Sequence, residues 1–328
     1  MIDVEERTGL GLFARVERIA RLALPFVVSV SLLVWIFERI DIRLALDHVT
    51  GNVLLRFVPM IVLFSAFTLA IEAHCLHRTV DARPADAAPL PRLVAARIKA
   101  ACYLAGVLNH VLGAGGLALL LRKRTGASLA VATGIVLLLA LLDVGLVLAS
   151  IAIGGAILQV DDVGLRLGIV GGLVAAVGGG FVFLRAPIDL GPLERVRELP
   201  LFNAARLVPF GVLTELASLR LCMLGCFASL VAGLFAAFDV DVGPIQLLFG
   251  IAVMLAVAAL PLAIAGIGTG QVVFVTVFSG LARDAELLAM SIVLTTSIIV
   301  ARSVLGFFFA PEFTREAIAV PRESEGSA

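Results

Sequence analysis

Leu260-Pro261-Leu262-Ala263-Ile264-Ala265-Gly266-Ile267-Gly268-Thr269-Gly270-Gln271, continuing into Val272-Val273-Phe274, decides how this chain is read. A proline and three alternating glycines interrupt an apolar run that extends from about Ile245 to Gly280. As one straight helix that run would be roughly 54 Å long at about 1.5 Å per residue. A bilayer core is only about 30 Å thick. The run is therefore too long for a simple span, and the Pro/Gly cluster predicts a break with the chain turning inside the membrane. Broken backbone at that depth is tolerated where it is buried in protein or lines a wet cavity.

Working outward, the composition supports a membrane setting for this break. Of 328 residues, 61% are hydrophobic and 15% charged. The mean hydropathy is +1.10. A soluble domain carries about 25% charged residues. Lys+Arg and Asp+Glu balance at 25 each, so no basic field points to nucleic acid. Residues 1–21 read as a polar cytoplasmic segment, too acidic for a signal n-region, which makes the first span an uncleaved anchor. Full spans are predicted at about Leu22–Phe37, Leu54–Leu76, Ser128–Ile153, Gly164–Leu184, Leu207–Phe238 and Leu287–Ala310. Residues 185–206 read as a polar loop and 311–328 as a disordered tail.

A second irregular segment spans about 93–121, with Leu108-Asn109-His110-Val111-Leu112-Gly113-Ala114-Gly115-Gly116 at its centre and Arg122-Lys123-Arg124 at its end. Charge decides how it sits, because cytoplasmic loops carry the excess Lys and Arg. With the N-terminus inside, Arg78, Arg83 and Arg92 are inside. Only if 93–121 dips in and returns do Arg122, Lys123 and Arg124 stay on that side. The same arrangement puts Asp161, Asp162, Asp239 and Asp241 outside, and Arg185, Arg195, Arg197 and Arg206 inside. The C-terminus then falls inside. The expected fold is an all-α polytopic membrane protein: a single domain over 22–310 with six full spans. Its two re-entrant broken-helix elements, at 93–121 and 245–280, open from opposite faces as an inverted repeat. Such repeats place their discontinuous helices at a midplane substrate site.

The polar groups at the two breaks are the candidate substrate contacts: Asn109, His110, Thr269 and Gln271, with Gly113, Gly115, Gly116, Gly266, Gly268 and Gly270 giving close backbone access. The competing reading is that the glycines serve helix packing and the side chains satisfy freed backbone groups. Asp143, Glu215, Arg220 and Arg302 are charges inside spans, and Glu72 lies near a predicted inner end. Buried ions are normally paired, so Asp143 is expected to pair with Arg220 or Arg302. The four cysteines form no framework, and Cys222 and Cys226 share a helix face without a nearby histidine. His74 and His77, at the end of a span, read as interfacial. No nucleophile–base arrangement, zinc spacing or nucleotide loop is present, so neither catalysis nor a metal or cofactor is expected. Gly266-x-Gly268-x-Gly270 lacks both the preceding strand and the spacing of a dinucleotide fingerprint.

Tyr103-Leu104-Ala105-Gly106 through Gly113, Leu121-Arg122-Lys123-Arg124-Thr125-Gly126 with Ser128-Leu129-Ala130, and Leu260-Pro261 through Gly268 together resemble the lysylphosphatidylglycerol synthase transmembrane-region family of flippase-like proteins. The resemblance covers about residues 20–310. It implies re-entrant helices, a bacterial-type inner membrane and movement of a lipid or lipid-linked head group between leaflets. It also implies membrane lipids as partners, with a homo-oligomer or a soluble transferase as further partners. The charged residues of the family motifs are replaced here, by Gly113-Ala114 and Leu117 in the first and Gly270-Gln271 in the second. This implies a less charged or differently charged head group. Two other functions remain open: a non-catalytic membrane subunit of a lipid-modifying enzyme, and a small-solute secondary transporter.

Overall fold

The computed structural model describes residues 47–83, 87–157, 194–259 and 268–318, with a few isolated positions between 164 and 191. The spans expected at Leu22–Phe37 and Gly164–Leu184, and the Pro/Gly cluster from Leu260 to Ile267, lie outside the described residues. What is described is helical, apart from an isolated bridge between Ser279 and Ala282. The long helices are α1 (Gly51–Asp81), α4 (Leu129–Ile157), α7 (Phe210–Ala237) and α10 (Asp284–Ile318). By length and composition, all four are able to cross a membrane. Between them come α2 (Arg92–Leu108), α3 (His110–Thr125), α8 (Pro244–Ala259) and α9 (Thr269–Val277). Within the stretch read as a polar loop, the described residues 194–206 carry short helices: α5 (Glu194–Arg197), a 3-10 turn (Pro200–Phe202) and α6 (Asn203–Leu207). At the C-terminus α10 continues past Ala310 to Ile318, into the stretch expected to be a tail.

Two cores stack along α1. Near its Asp81 end, Ile71, Cys75, Leu76 and Val80 pack with α2, α3, the start of α4 and Leu216 of α7. Near its Gly51 end, Val53, Phe57 and Ile61 pack with the end of α7, with α8 and α9, and with the start of α10. α7 therefore runs antiparallel to α1, and α10 runs parallel to it. The α2–α3 pair belongs to one core and the α8–α9 pair to the other, so the two pairs occupy opposite ends of the bundle.

The α2–α3 pair is a closed hairpin. Asn109 breaks the helix with extended backbone (φ −160°, ψ 130°), and its Oδ1 accepts the Val111 N–H at 2.7 Å, capping α3. A left-handed Gly126 (φ 70°) ends α3. The base is pinned where the Ala88 N–H donates to the Thr125 carbonyl at 2.8 Å. Each arm is about 25 Å long, short of the about 30 Å bilayer core. The arms touch where glycine permits: a Cβ on Gly113 would lie 2.7 Å from the Gly106 Cα. Apolar helices surrounded by lipid gain little from hydrophobic burial, so such close packing carries much of their association. The same device seats α10 on α2, where a Cβ on Gly306 would meet Leu104 at 2.7 Å.

At the other end α9 packs back on α8. A Cβ on Gly250 of α8 would meet the Phe278 ring at 2.6 Å. Phe235, Phe274 and Phe278 are fully buried, with ring centroids 4.9–5.9 Å apart. Their edge and offset contacts add to simple packing.

Candidate functional site

Glu72 and Lys99 are polar residues on otherwise apolar helix faces, and the fold brings them together. Lys99 Nζ lies 3.0 Å from Glu72 Oε1. The Tyr103 hydroxyl donates to Glu72 Oε2 at 2.5 Å. Lys99 and Tyr103 lie one turn apart on α2, so a single face of that arm presents both groups to α1. Arg302 of α10 stacks over the Tyr103 ring, 5.5 Å from its centroid. Glu72 lies about 14 Å along α1 from Asp81, and Tyr103 about 16 Å along α2 from Arg92. The cluster therefore lies well inside the bundle, away from the helix ends that carry Asp81 and Arg92.

A second pair adjoins it. Arg220 of α7 is 4% exposed, and its NH1 lies 3.0 Å from Asp143 Oδ2 on α4. Asp143 is thus tied to Arg220; Arg302, the other partner expected, is engaged elsewhere. Arg220 Nε has no hydrogen-bond partner. Arg220 and Arg302 both act electrostatically on Glu72, so the two groups form one charged layer.

Glu215 stands apart, about a turn and a half into α7 from the basic end. Arg78 grips it with two nitrogens, Nε to Oε1 at 2.9 Å and NH2 to Oε2 at 2.6 Å, and His74 Nε2 lies 3.2 Å from Oε1. His77 lies 2.7 Å from the Leu90 carbonyl and 3.3 Å from Asp81. Among the described residues, no group of three or more His, Cys, Asp or Glu is placed to hold a metal ion. Cys75 and Cys102 are buried packing residues.

At the two breaks, Asn109 and Gln271 bond the local backbone. Gln271 is 5% exposed, and its Oε1 accepts the Gly268 N–H at 2.6 Å, at a backbone φ of 93°. Thr269 opens α9 and is buried. Asn109 is spent as a cap, and His110 opens α3. Gly113 is a packing position; Gly115 and Gly270 have open space where a Cβ would go, and Gly116 is buried. Gly266 lies outside the described residues. The charged layer is therefore built from Glu72, Lys99, Tyr103, Asp143, Arg220 and Arg302. Lys99 and Tyr103 are site residues that the sequence did not single out. The available signal was their three-to-four spacing on an apolar helix, facing an acidic residue in the preceding span.

Beside this layer a small cavity opens between α1, α2 and α10. Ser65, Thr68, Tyr103 and Arg302 supply its polar atoms. Phe64, Ile298 and Leu305 form its apolar side. Fold and site together define an all-helical protein of membrane-spanning character, with a layer of charged side chains inside the bundle. No family model matches the chain, and no curated protein matches it.

Proposed function

We propose that this protein moves an amphiphilic lipid, or a lipid-linked head group, between the leaflets of a bacterial-type inner membrane. The observation that carries this reading is the charged layer itself, set beside a small cavity lined by both polar and apolar side chains. Ionisable groups at such depth are costly and mark substrate or ion paths. Arg302 stands there beside the apolar Phe64, Ile298 and Leu305, a mixed surface that suits an amphiphile.

Two pairs of short helices, α2–α3 and α8–α9, at opposite ends of the bundle fit an inverted repeat of re-entrant elements, in which alternate opening exposes one central site to either face. The sequence resemblance to flippase-like proteins points the same way. Arg78, Arg83, Arg92 and Arg122–Arg124 gather at one end, which the positive-inside rule assigns to the cytoplasm.

The test is reconstitution of the full chain into vesicles containing phospholipids with a fluorescent acyl chain, followed by quenching of the outer leaflet. Faster exposure of inner-leaflet lipid than in empty vesicles is expected. Exposure no faster than in empty vesicles, across several head-group classes and with correctly folded protein, would overturn the proposal.

A further inference from the structure

The α2–α3 hairpin is built without a carboxylate. From Ala87 to Leu142 the chain contains Arg92, Arg97, Lys99, Arg122, Lys123 and Arg124, and neither aspartate nor glutamate. Lys99 is matched to Glu72 of α1 at 3.0 Å. The other five cations are exposed. The fold gathers them at one end. Arg92 opens α2, and Arg122, Lys123 and Arg124 form the last turn of α3. The Ala88–Thr125 hydrogen bond of 2.8 Å holds those two helix ends together. Arg97 lies about 8 Å along α2 from Arg92.

Local helix rules explain only part of this. Cations in the last turn of a helix interact favourably with its dipole, which suits α3. Arg92 stands at the first position of α2, where the same dipole repels a cation and the first turn holds no acidic residue. Like charges crowded at one end repel one another, and an anion brought among them relieves that repulsion.

The surface that adjoins the cations is apolar. Leu93 on α2 and Leu119 on α3 are exposed, and the exposed line on α3 continues through Gly115 to Val111 and Leu112. Gly115 leaves open space in that line. Leu119 lies three and four residues before Arg122 and Lys123, so the apolar line runs into these two cations on one helix face. From Lys123 to Val111 it is about 18 Å long. Cations at the end of an apolar strip are complementary to an amphiphile with an anionic head, whereas a soluble anion would use the cations alone.

We propose that the outer face of this hairpin binds an anionic phospholipid of the leaflet on the basic side, with its phosphate against Arg122 and Lys123 and an acyl chain along Leu119 and Gly115. The site lies on the surface of the hairpin, apart from the charged layer. It rests on the membrane-spanning character of the helices and not on the translocation reading. Lipid bound there ties the hairpin base to the membrane surface and stabilises the folded hairpin.

Native mass spectrometry of the detergent-purified full chain tests it, with phosphatidylglycerol as the probe and phosphatidylcholine of the same chains as the zwitterionic arm. The expected result is retention of phosphatidylglycerol at concentrations where phosphatidylcholine is lost, and no displacement by millimolar inorganic phosphate. Arg122→Gln/Lys123→Gln should weaken phosphatidylglycerol retention by about tenfold or more and leave that of phosphatidylcholine as it was. Gly115→Leu, which fills the open space and keeps every charge, should also weaken it, so the test does not depend on the folding of the double variant. Arg56→Gln, near the Gly51 end of α1, should leave it unchanged.

Equal retention of the two lipids overturns the proposal, as does full phosphatidylglycerol retention by both Arg122→Gln/Lys123→Gln and Gly115→Leu. Displacement by inorganic phosphate as effective as that by lipid overturns it in favour of a free-anion site.

Discussion

Lys99 Nζ and Glu72 Oε1 lie 3.0 Å apart and join the first arm of the α2–α3 hairpin to α1. Both side chains are largely buried, at 23% and 13% exposure. Removing one partner of such a pair strands the other charge and typically costs about 3–5 kcal/mol, whereas replacing both with apolar groups is often neutral. Lys99→Met and Glu72→Leu should each lower the thermal midpoint in detergent, and the double variant should recover most of the loss. Additive losses in the double variant would show that the pair does not hold the hairpin in place.

The Arg220–Asp143 tie makes a separate case, because its burial is lopsided. Arg220 is 4% exposed and the Asp143 side chain 41%. Loss of the carboxylate leaves a buried guanidinium with one nitrogen already unpartnered, so Asp143→Asn should destabilise measurably. Arg220→Met strands the Asp143 carboxylate in turn and should also destabilise, whereas the double variant Asp143→Leu/Arg220→Met should recover most of the loss. Thermal melts of the three variants check this, and additive losses would contradict the geometry.

Gly113 and Gly115 offer a matched comparison on one helix. A Cβ at Gly113 would sit 2.7 Å from the Gly106 backbone, while Gly115 has nothing within 4 Å. Gly113→Ala should cost about 1–3 kcal/mol by forcing the arms apart. Gly115→Ala should be neutral or stabilise by about 0.5–1 kcal/mol, because alanine favours a helix. Urea or thermal unfolding of the two variants checks the contrast.

Gln271 caps its own helix from a buried position. Gln271→Leu keeps the volume but leaves the Gly268 N–H without its acceptor, at a cost of about 1–3 kcal/mol. Gln271→Glu keeps an acceptor oxygen and should lose less folded protein. Equal yields of wild-type and Gln271→Leu protein, by fluorescence-detected size exclusion, would show that the cap is dispensable.

The hairpin base predicts a labelling pattern in intact vesicles. Single cysteines at Arg92 and Arg124 should react with an impermeant reagent from the same face, because the Ala88–Thr125 hydrogen bond closes the loop between them. Cysteines at Asp239 and Asp284 should react from the other face. Opposite reactivity of Arg92 and Arg124 positions would mean that this segment crosses the membrane.

Much of the architecture was legible in the residues because it depends on local rules. Apolar runs of bilayer length announced the helices. The extended conformation at Asn109 lies inside the segment that its polar residues and glycines had marked as broken. The candidate site was less legible. Asn109 and Gln271 stood out as polar groups in apolar surroundings, but a sequence does not say whether such a side chain faces a ligand or its own backbone, and here both close the backbone.

The sequence by itself determined the helical character, the positions of the charges and the need to pair them. Only the tertiary structure decided the partners: Glu72 with Lys99 and Tyr103, Asp143 with Arg220, Glu215 with Arg78, and Arg302 with an aromatic face. The reason is physical. Pairing depends on depth and helix rotation, which are set by close contacts such as those of Gly113 with Gly106 and Gly306 with Leu104, between segments whose separation along the chain carries no record of their distance in space.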